Sequence, residues 1–323
     1  MSQLTTNTRA FIESEQYSAF VLRNLWDGLL PEMFYRDVSD FPAGETLHIK
    51  QVGTVSIQDV AENVALDYNA IDTSEVFLTI TDYKGDAWFI TDKLRQDGAQ
   101  IDALLAERAA EGTRAIQEVH ESKFLAVANA AQTPADPNAI NGFPHRIVAP
   151  AAAGNIMTLD LFRRMKLSFD KAKVPAFGRI AIVDPVVEAT LNGIFSYVSS
   201  VGGGTDNYND MLFQGLQQSG FASEHQFIRN IMGWSVWTSN RLPQIASETV
   251  STVAVTNGVA NLFMCLADDN CKPMMHAWRQ MPRTETERNK DLQRDEFLTT
   301  CRYGFGSQRP ETLGVVLTSA VNY

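Results

Sequence analysis

Cysteine is scarce in this chain. Cys265, Cys271 and Cys301 are its only three among 323 residues, too few and too clustered for a disulfide scaffold. A Cys265–Cys271 bridge requires an oxidising space, and reduced, part-buried thiols are the plainer expectation. An excess of positive charge is missing too. Lys and Arg total 27 against 38 Asp and Glu, a formal net charge of -11, whereas a dedicated nucleic-acid binder carries a basic bias. The opening residues MSQLTTNTRAFIESEQYS hold no basic stretch followed by an apolar run, so no signal peptide is expected. No apolar run approaches the 18 residues of a membrane-spanning helix. The product is therefore expected to stay in the cytoplasm where it is made, unless it leaves as part of something larger.

The usual signatures of catalysis are also lacking. No GxSxG nucleophile elbow occurs. The glycines of GGGTDNYND, residues 202–204, are followed by Thr205 and Asp206, not by the Lys-Ser/Thr of a phosphate cradle. The histidines His48, His120, His145, His225 and His276 form no HExxH. Cys265, Cys271 and His276 have zinc-type side chains but need a fourth ligand from elsewhere. Asp268 and Asp269 are adjacent acids of a loop, and Glu285 and Glu287 lie in a hydrophilic run, poor candidates for acid–base work. No cofactor and no metal is expected.

What is present is 45% hydrophobic sequence, enough for a large core divided between two domains. In GRIAIVDPVVEATLNGI, residues 178–194, Ile180, Ile182 and Val183 read as a strand. Asp184 caps a helix that Pro185 opens and whose inward face includes Leu191 and Ile194. A catalytic aspartate at a strand end is the rival reading. Residues 45–60 and 75–91 alternate as an antiparallel pair with an acidic link between them. Residues 93–131 carry a three-four spacing through Ile101, Leu104, Leu105, Ala109, Gly112, Ile116 and Val119, predicting one helix of about 30 residues, roughly 45 Å. Pro134 and Pro137 stop it. Residues 138–157 read as a loop. Thr158 is expected to cap the next helix, whose stripe is Leu161, Phe162, Met165, Phe169 and Ala172, with Pro175 ending it.

Later, VSTVAVTNGVANLFMCL reads as two strands around Asn257–Gly258. RQMPRTETERNKDLQRDEF alternates in sign and reads as a solvated or interface-facing connector. There Arg279, Arg283, Glu285, Glu287, Arg288, Lys290 and Arg294 are expected to make ion pairs with a neighbouring subunit. Two strand-like runs close the chain, with Pro310 marking a turn or an edge. YSAFVLRNLWDGLL and EMFYRDV, near the start, read as an arm with anchor points.

This order resembles the major capsid proteins of tailed bacteriophages, the HK97-fold family, an α+β fold. TLHIKQVG with TSEVFLTITDYKGDAWFI resembles the family's extended loop, and KLRQDGAQIDALLAERAAEGTRAIQEVHESKFLAVANAA its spine helix. GRIAIVDPVVEATL and GWSVWTSNRLP resemble parts of its axial domain, and DEFLTTCRYGFGSQRPETLGVVLTSA the return into its peripheral domain. The resemblance implies an N-terminal arm at 1–42, an extended loop at 43–91 and a peripheral domain at 92–145. It implies an axial domain at 146–296 and peripheral return strands at 297–323. It further implies pentamers and hexamers assembling in the host cytoplasm into an icosahedral virion shell around double-stranded DNA, bound without sequence specificity. Implied partners are a portal, a scaffolding protein and a decoration or cement protein; scaffolding is expected as a separate chain because this one starts almost at the arm. Residues 58–74 contain no lysine, so covalent cross-linking through the loop tip is not expected. The alternatives are an encapsulin-like compartment, a tail or head-completion protein, and a metal-dependent or hydrolytic enzyme using Asp184.

Overall fold

In a computed structural model of the chain, residues 30, 32–40, 44–53, 57–60, 62, 73–97, 101–191 and 227–323 are described. The elements run β1 (Arg36–Asp37), β2 (Thr46–Val52), β3 (Thr73–Thr79), β4 (Asp82–Thr91), α1 (Asp92–Asp97), α2 (Ile101–Ala131), β5 (Arg146–Val148), α3 (Leu159–Lys171) and β6 (Arg179–Val183). After a helical stretch at 185–191 come β7 (Phe227–Ile231), β8 (Trp234–Thr238), β9 (Gln244–Val250), β10 (Val253–Cys265), β11 (Met274–Asn289), β12 (Arg294–Ser307) and β13 (Leu313–Ser319). Three sheets result. One has the order β1-β11-β12-β4, one is the β2-β3 pair, and the seven-stranded one has the order β5-β13-β10-β6-β8-β7 with β9 against β10. The chain forms two compact units. One contains Asp86–Ile116 and Thr284–Thr299, the other Gly28–Gly85, Gln117–Arg283 and Thr300–Tyr323.

The seven-stranded sheet explains itself from its residues. β6 is apolar after Arg179, and every residue of it is buried, as a central strand covered on both faces demands. β10 supplies its middle, pairing Leu262 with Ile182 on one side and with Val315 on the other. Against it lies α3, whose Leu161, Phe162, Met165 and Phe169 are all buried, as the spacing predicts. Burial of each such side chain stabilises the fold by about 1.5–3 kcal/mol. Gly314 lets β13 approach this helix, because a Cβ there would stand 2.4 Å from Met165 Sδ.

Several expectations are corrected. β10 continues through Asn257–Gly258, where Asn257 has a positive φ, and the two-residue turn is Ser251–Thr252, both at positive φ, joining β9 to β10. Pairing of β10 with three other strands outweighs the local Asn-Gly preference. The charged connector is a β-hairpin made of β11 and β12. Residues 75–91 divide into β3 and β4, which join different sheets. β5 lies within the expected loop 138–157. The long helix is present with 31 residues in α2, about 46 Å at 1.5 Å per residue. Its expected face holds in part: Gly112 and Ile116 are buried, Leu104, Ala109 and Val119 are exposed, and Phe124, Leu125 and Ala128 extend the buried side toward the C-terminus. The strand pairing also crosses the expected 296/297 division. β11 belongs with β12 and β4, and β13 with the seven-stranded sheet, so a division at 296/297 separates strands that pair.

Candidate assembly surfaces

Asp184 comes first, because it is the one residue with a catalytic rival reading. Its Oδ2 accepts the Val186 N–H at 3.0 Å, its carbonyl accepts Glu188 N–H at 3.1 Å, and its own N–H donates to Asn261 Oδ1 at 3.0 Å. Burial pushes its carboxyl above the ordinary range, and the Val186 N–H opposes this. The geometry is that of a helix cap, with Pro185 at the first helical position. Asp184→Ala is expected to cost about 0.5–2 kcal/mol, read as a lowered midpoint in urea unfolding; an unchanged midpoint contradicts the cap. Thr158 is a correction. It holds the N-cap position of α3 in extended backbone, yet its side chain makes no capping bond. Pro310 opens a one-turn 3-10 helix, Pro310–Thr312, between β12 and β13, so it marks a turn.

The zinc reading gains no support. Cys265, Cys271 and Cys301 are free, and among the described residues no three His, Cys, Asp or Glu side chains converge on a metal-sized space. His276 is engaged elsewhere, its Nε2 lying 3.0 Å from His120 Nε2. The glycine loop at 202–204, Ile194 and His225 lie outside the described residues. No helix of the described residues is long and apolar enough to cross a membrane.

A depression of 530 Å³ lies beside Asn129, Pro134, Ala135, Arg146, Glu248 and Thr249. Arg146 Nε and Nη2 donate to the two oxygens of Glu248, both at 2.6 Å. Arg146 Nη1 donates to Asn129 Oδ1 at 3.0 Å, and Ala135 N–H donates to Glu248 Oε1 at 2.9 Å. The Arg146 side chain is 0% exposed and that of Glu248 7%. This buried, bidentate pair ties β5 to β9 and to the loop after α2. Sequence reasoning missed it because its partners stand 102 residues apart and carry no local motif.

The large exposed features are edges and faces of strands. On the β2–β3 pair, Leu47, Ile49, Val76 and Leu78 pack inward, against a core that includes Met275 and Ala277. His48, Lys50, Glu75 and Phe77 face out, with Phe77 55% exposed. On β11, residues 281–288 are exposed on both faces, which a strand in a core never is. Of the residues expected to pair between subunits, Arg288 also binds within the chain. It makes two 2.5 Å bonds to Asp92 and a 3.0 Å bond to Asp295. Arg294 binds Glu296 at 2.7 Å and lies over the Phe89 ring. Arg288 and Arg294 thus hold ion pairs within the chain. Arg279, Arg283, Glu285, Glu287 and Lys290 remain on the exposed part of the hairpin.

Long exposed strands and a helix of 31 residues are the features that the comparisons with known proteins explain. The fold is HK97-like. The chain matches the capsid structure of the cyanophage P-SCSP1u at 15% identity and a TM-score of 0.71, over 98% of this chain and 95% of that one. The mature capsid of bacteriophage PhiM1 matches at 15% identity and a TM-score of 0.71, over 100% and 98%. The capsid of a native GTA particle matches at 11% identity and a TM-score of 0.58, over 99% and 100%. No curated protein matches the sequence. A family profile described as phage capsid protein matches residues 73–317. The chain belongs to that phage capsid protein family and is a structural, major capsid protein.

Proposed function

We propose that this chain assembles as pentamers and hexamers into an icosahedral virion shell that encloses double-stranded DNA, and that it acts without catalysis. The observation that carries this is the family match over residues 73–317 together with capsid folds that span the whole chain. The exposed face of β2–β3, within an extended loop at 43–79, lies over a neighbouring subunit. β4, α1, α2, β11 and β12 make the peripheral region, and the seven-stranded sheet with α3 makes the axial one. The arm before residue 30 reaches across another copy. The exposed part of the β11–β12 hairpin, with Arg279, Arg283, Glu285, Glu287 and Lys290, meets a further copy through charge pairs at its rim. A portal, a separate scaffolding chain and a decoration protein complete the particle, which assembles in the host cytoplasm.

Electron microscopy of the purified chain, alone and co-expressed with its scaffolding protein, tests the reading. Closed shells, or free pentamers and hexamers, are expected. Single chains that persist beside the scaffolding protein overturn it.

A further inference from the structure

Residues 30 and 32–40 form a strap across the larger unit. Phe34 is fully buried, with its ring edge-on to Trp237 at 5.4 Å. β1 runs parallel to β11 with Asp37 opposite His276, and Val38 N–H donates to the His276 carbonyl at 2.8 Å. Leu30 N–H donates to Glu121 Oε2 at 3.0 Å. At the centre, Tyr35 rests on His276 at 4.9 Å and on His120 at 6.0 Å.

His120 and His276 face each other through Nε2 atoms 3.0 Å apart. Such a contact holds only while one ring carries its proton there and the other presents a lone pair. Two N–H groups at that distance repel. We propose that this pair is a proton-operated latch. It closes the strap while the rings share one proton at the facing nitrogens, and a further proton on either ring favours release of the strap.

The surroundings set the direction. His120 stacks on Trp278 at 4.9 Å and touches Tyr303 and Phe305. The strap brings Tyr35 and Asp37, with Glu32 acting on Tyr35. From α2, Glu121 is next to His120, but its oxygens take Leu30 N–H and the Ser239 hydroxyl. From β4, Asp82 acts on Tyr303 and is paired with Lys123 at 3.2 Å. Asp37 is the one carboxylate that favours a charge on His276, and it does not outweigh burial. Burial lowers His120 to about 4, and burial followed by the charge on His120 lowers His276 to about 3. A ring freed into water titrates near about 6.5. The closed strap is therefore at full strength above that pH and weakens as pH falls below it, until the closed rings also protonate near pH 4 and 3.

Two rings titrating on this limb lower the closed-to-open ratio roughly 50-fold between pH 6 and pH 5. Hydrogen exchange by mass spectrometry on the full chain, corrected for intrinsic rates, reads this. Protection of 30–40 is expected to fall about 50-fold while that of β10 holds. His276→Gln keeps a hydrogen-bonding group, removes one titrating ring, and should reduce the fall to roughly 8-fold. His145→Gln, a buried histidine elsewhere, should leave it unchanged. If 276 does not tolerate glutamine, His120→Gln serves, and the wild-type contrast between strap and β10 stands by itself. A strap whose protection is flat with pH, or falls in step with β10, or falls equally in His276→Gln, overturns the latch. The latch stands on the contacts within this unit and is independent of the shell geometry.

Discussion

Glu248→Ala is expected to lower stability by about 3–5 kcal/mol, because it strands a buried guanidinium without its counter-charge. Arg146 has no exposed side-chain surface and cannot turn to water. Its remaining bonds, from Nη1 to Asn129 and to the Gln132 carbonyl, leave Nε and Nη2 unsatisfied. The loss also frees the Ala135 N–H and loosens β9 from β5. Calorimetry should show a fall of roughly 6–20 °C at the about 2–4 °C per kcal/mol typical of 150–250 residues. Arg146→Met with Glu248→Leu should recover most of it, since a buried pair replaced by apolar groups is close to neutral. A Glu248→Ala chain within about 1 kcal/mol of the parent would show that the pair is solvated in solution. The pH dependence follows the same pair. Burial works against the Glu248 charge, but the Arg146 and Ala135 bonds prevail and hold the carboxyl below the ordinary range. The pair thus contributes fully above the unfolded carboxyl value of about 4.3. Its contribution is lost as pH falls through the lower folded one.

The parts of this fold that were legible in the sequence are those where one element sees one environment. The α3 stripe, the buried β6 with Asp184 and Pro185 at its end, and the length of α2 all obey a local period or a local cap. Misreading begins where partners are distant. The apolar residues of α2 are spread around its N-terminal half, so periodicity did not fix which face is buried, and Leu104 and Val119 fell on the wrong side. Asn257–Gly258 has the chemistry of a hairpin turn, yet Gly258 pairs with both Ile245 and Ser319 across adjacent strands. The charge alternation at 279–296 is real, but it belongs to two strands exposed on their surfaces, where alternation gives no core signal. Thr158 has the right residue type and backbone for a cap and simply does not use its hydroxyl for one. The family resemblance succeeded despite these misses because it rested on the order of elements, which local errors leave intact.

The exposed strands also explain why the buried pair and the buried rings matter more here than counts of surface charge. Much of β2, β3 and the tip of β11 is exposed, and the largest buried cluster lies around the seven-stranded sheet. Surface pairs such as Arg95–Asp295 contribute about 0–1 kcal/mol each, and the margin comes from the aromatic centre.

Trp234 is the residue on which that margin should be most visible. It is fully buried, edge-on to Phe169 at 5.0 Å and to Phe263 at 4.9 Å, and beneath the Arg179 guanidinium at 5.8 Å. Trp234→Ala removes the ring that joins α3 to β10 and β8, and should cost about 3–5 kcal/mol. Trp234→Phe should cost under about 1.5 kcal/mol, for a particular reason. The indole N–H has no hydrogen-bond partner among the described residues, so its removal forfeits packing volume and relieves an unpaired donor. Urea unfolding followed by circular dichroism separates the two. A large loss in alanine with a small one in phenylalanine assigns the contribution of Trp234 to ring burial and edge contacts. Equal losses in both would mean that the indole nitrogen holds a bond beyond those of the described residues, and that a polar tether at this position supports the sheet.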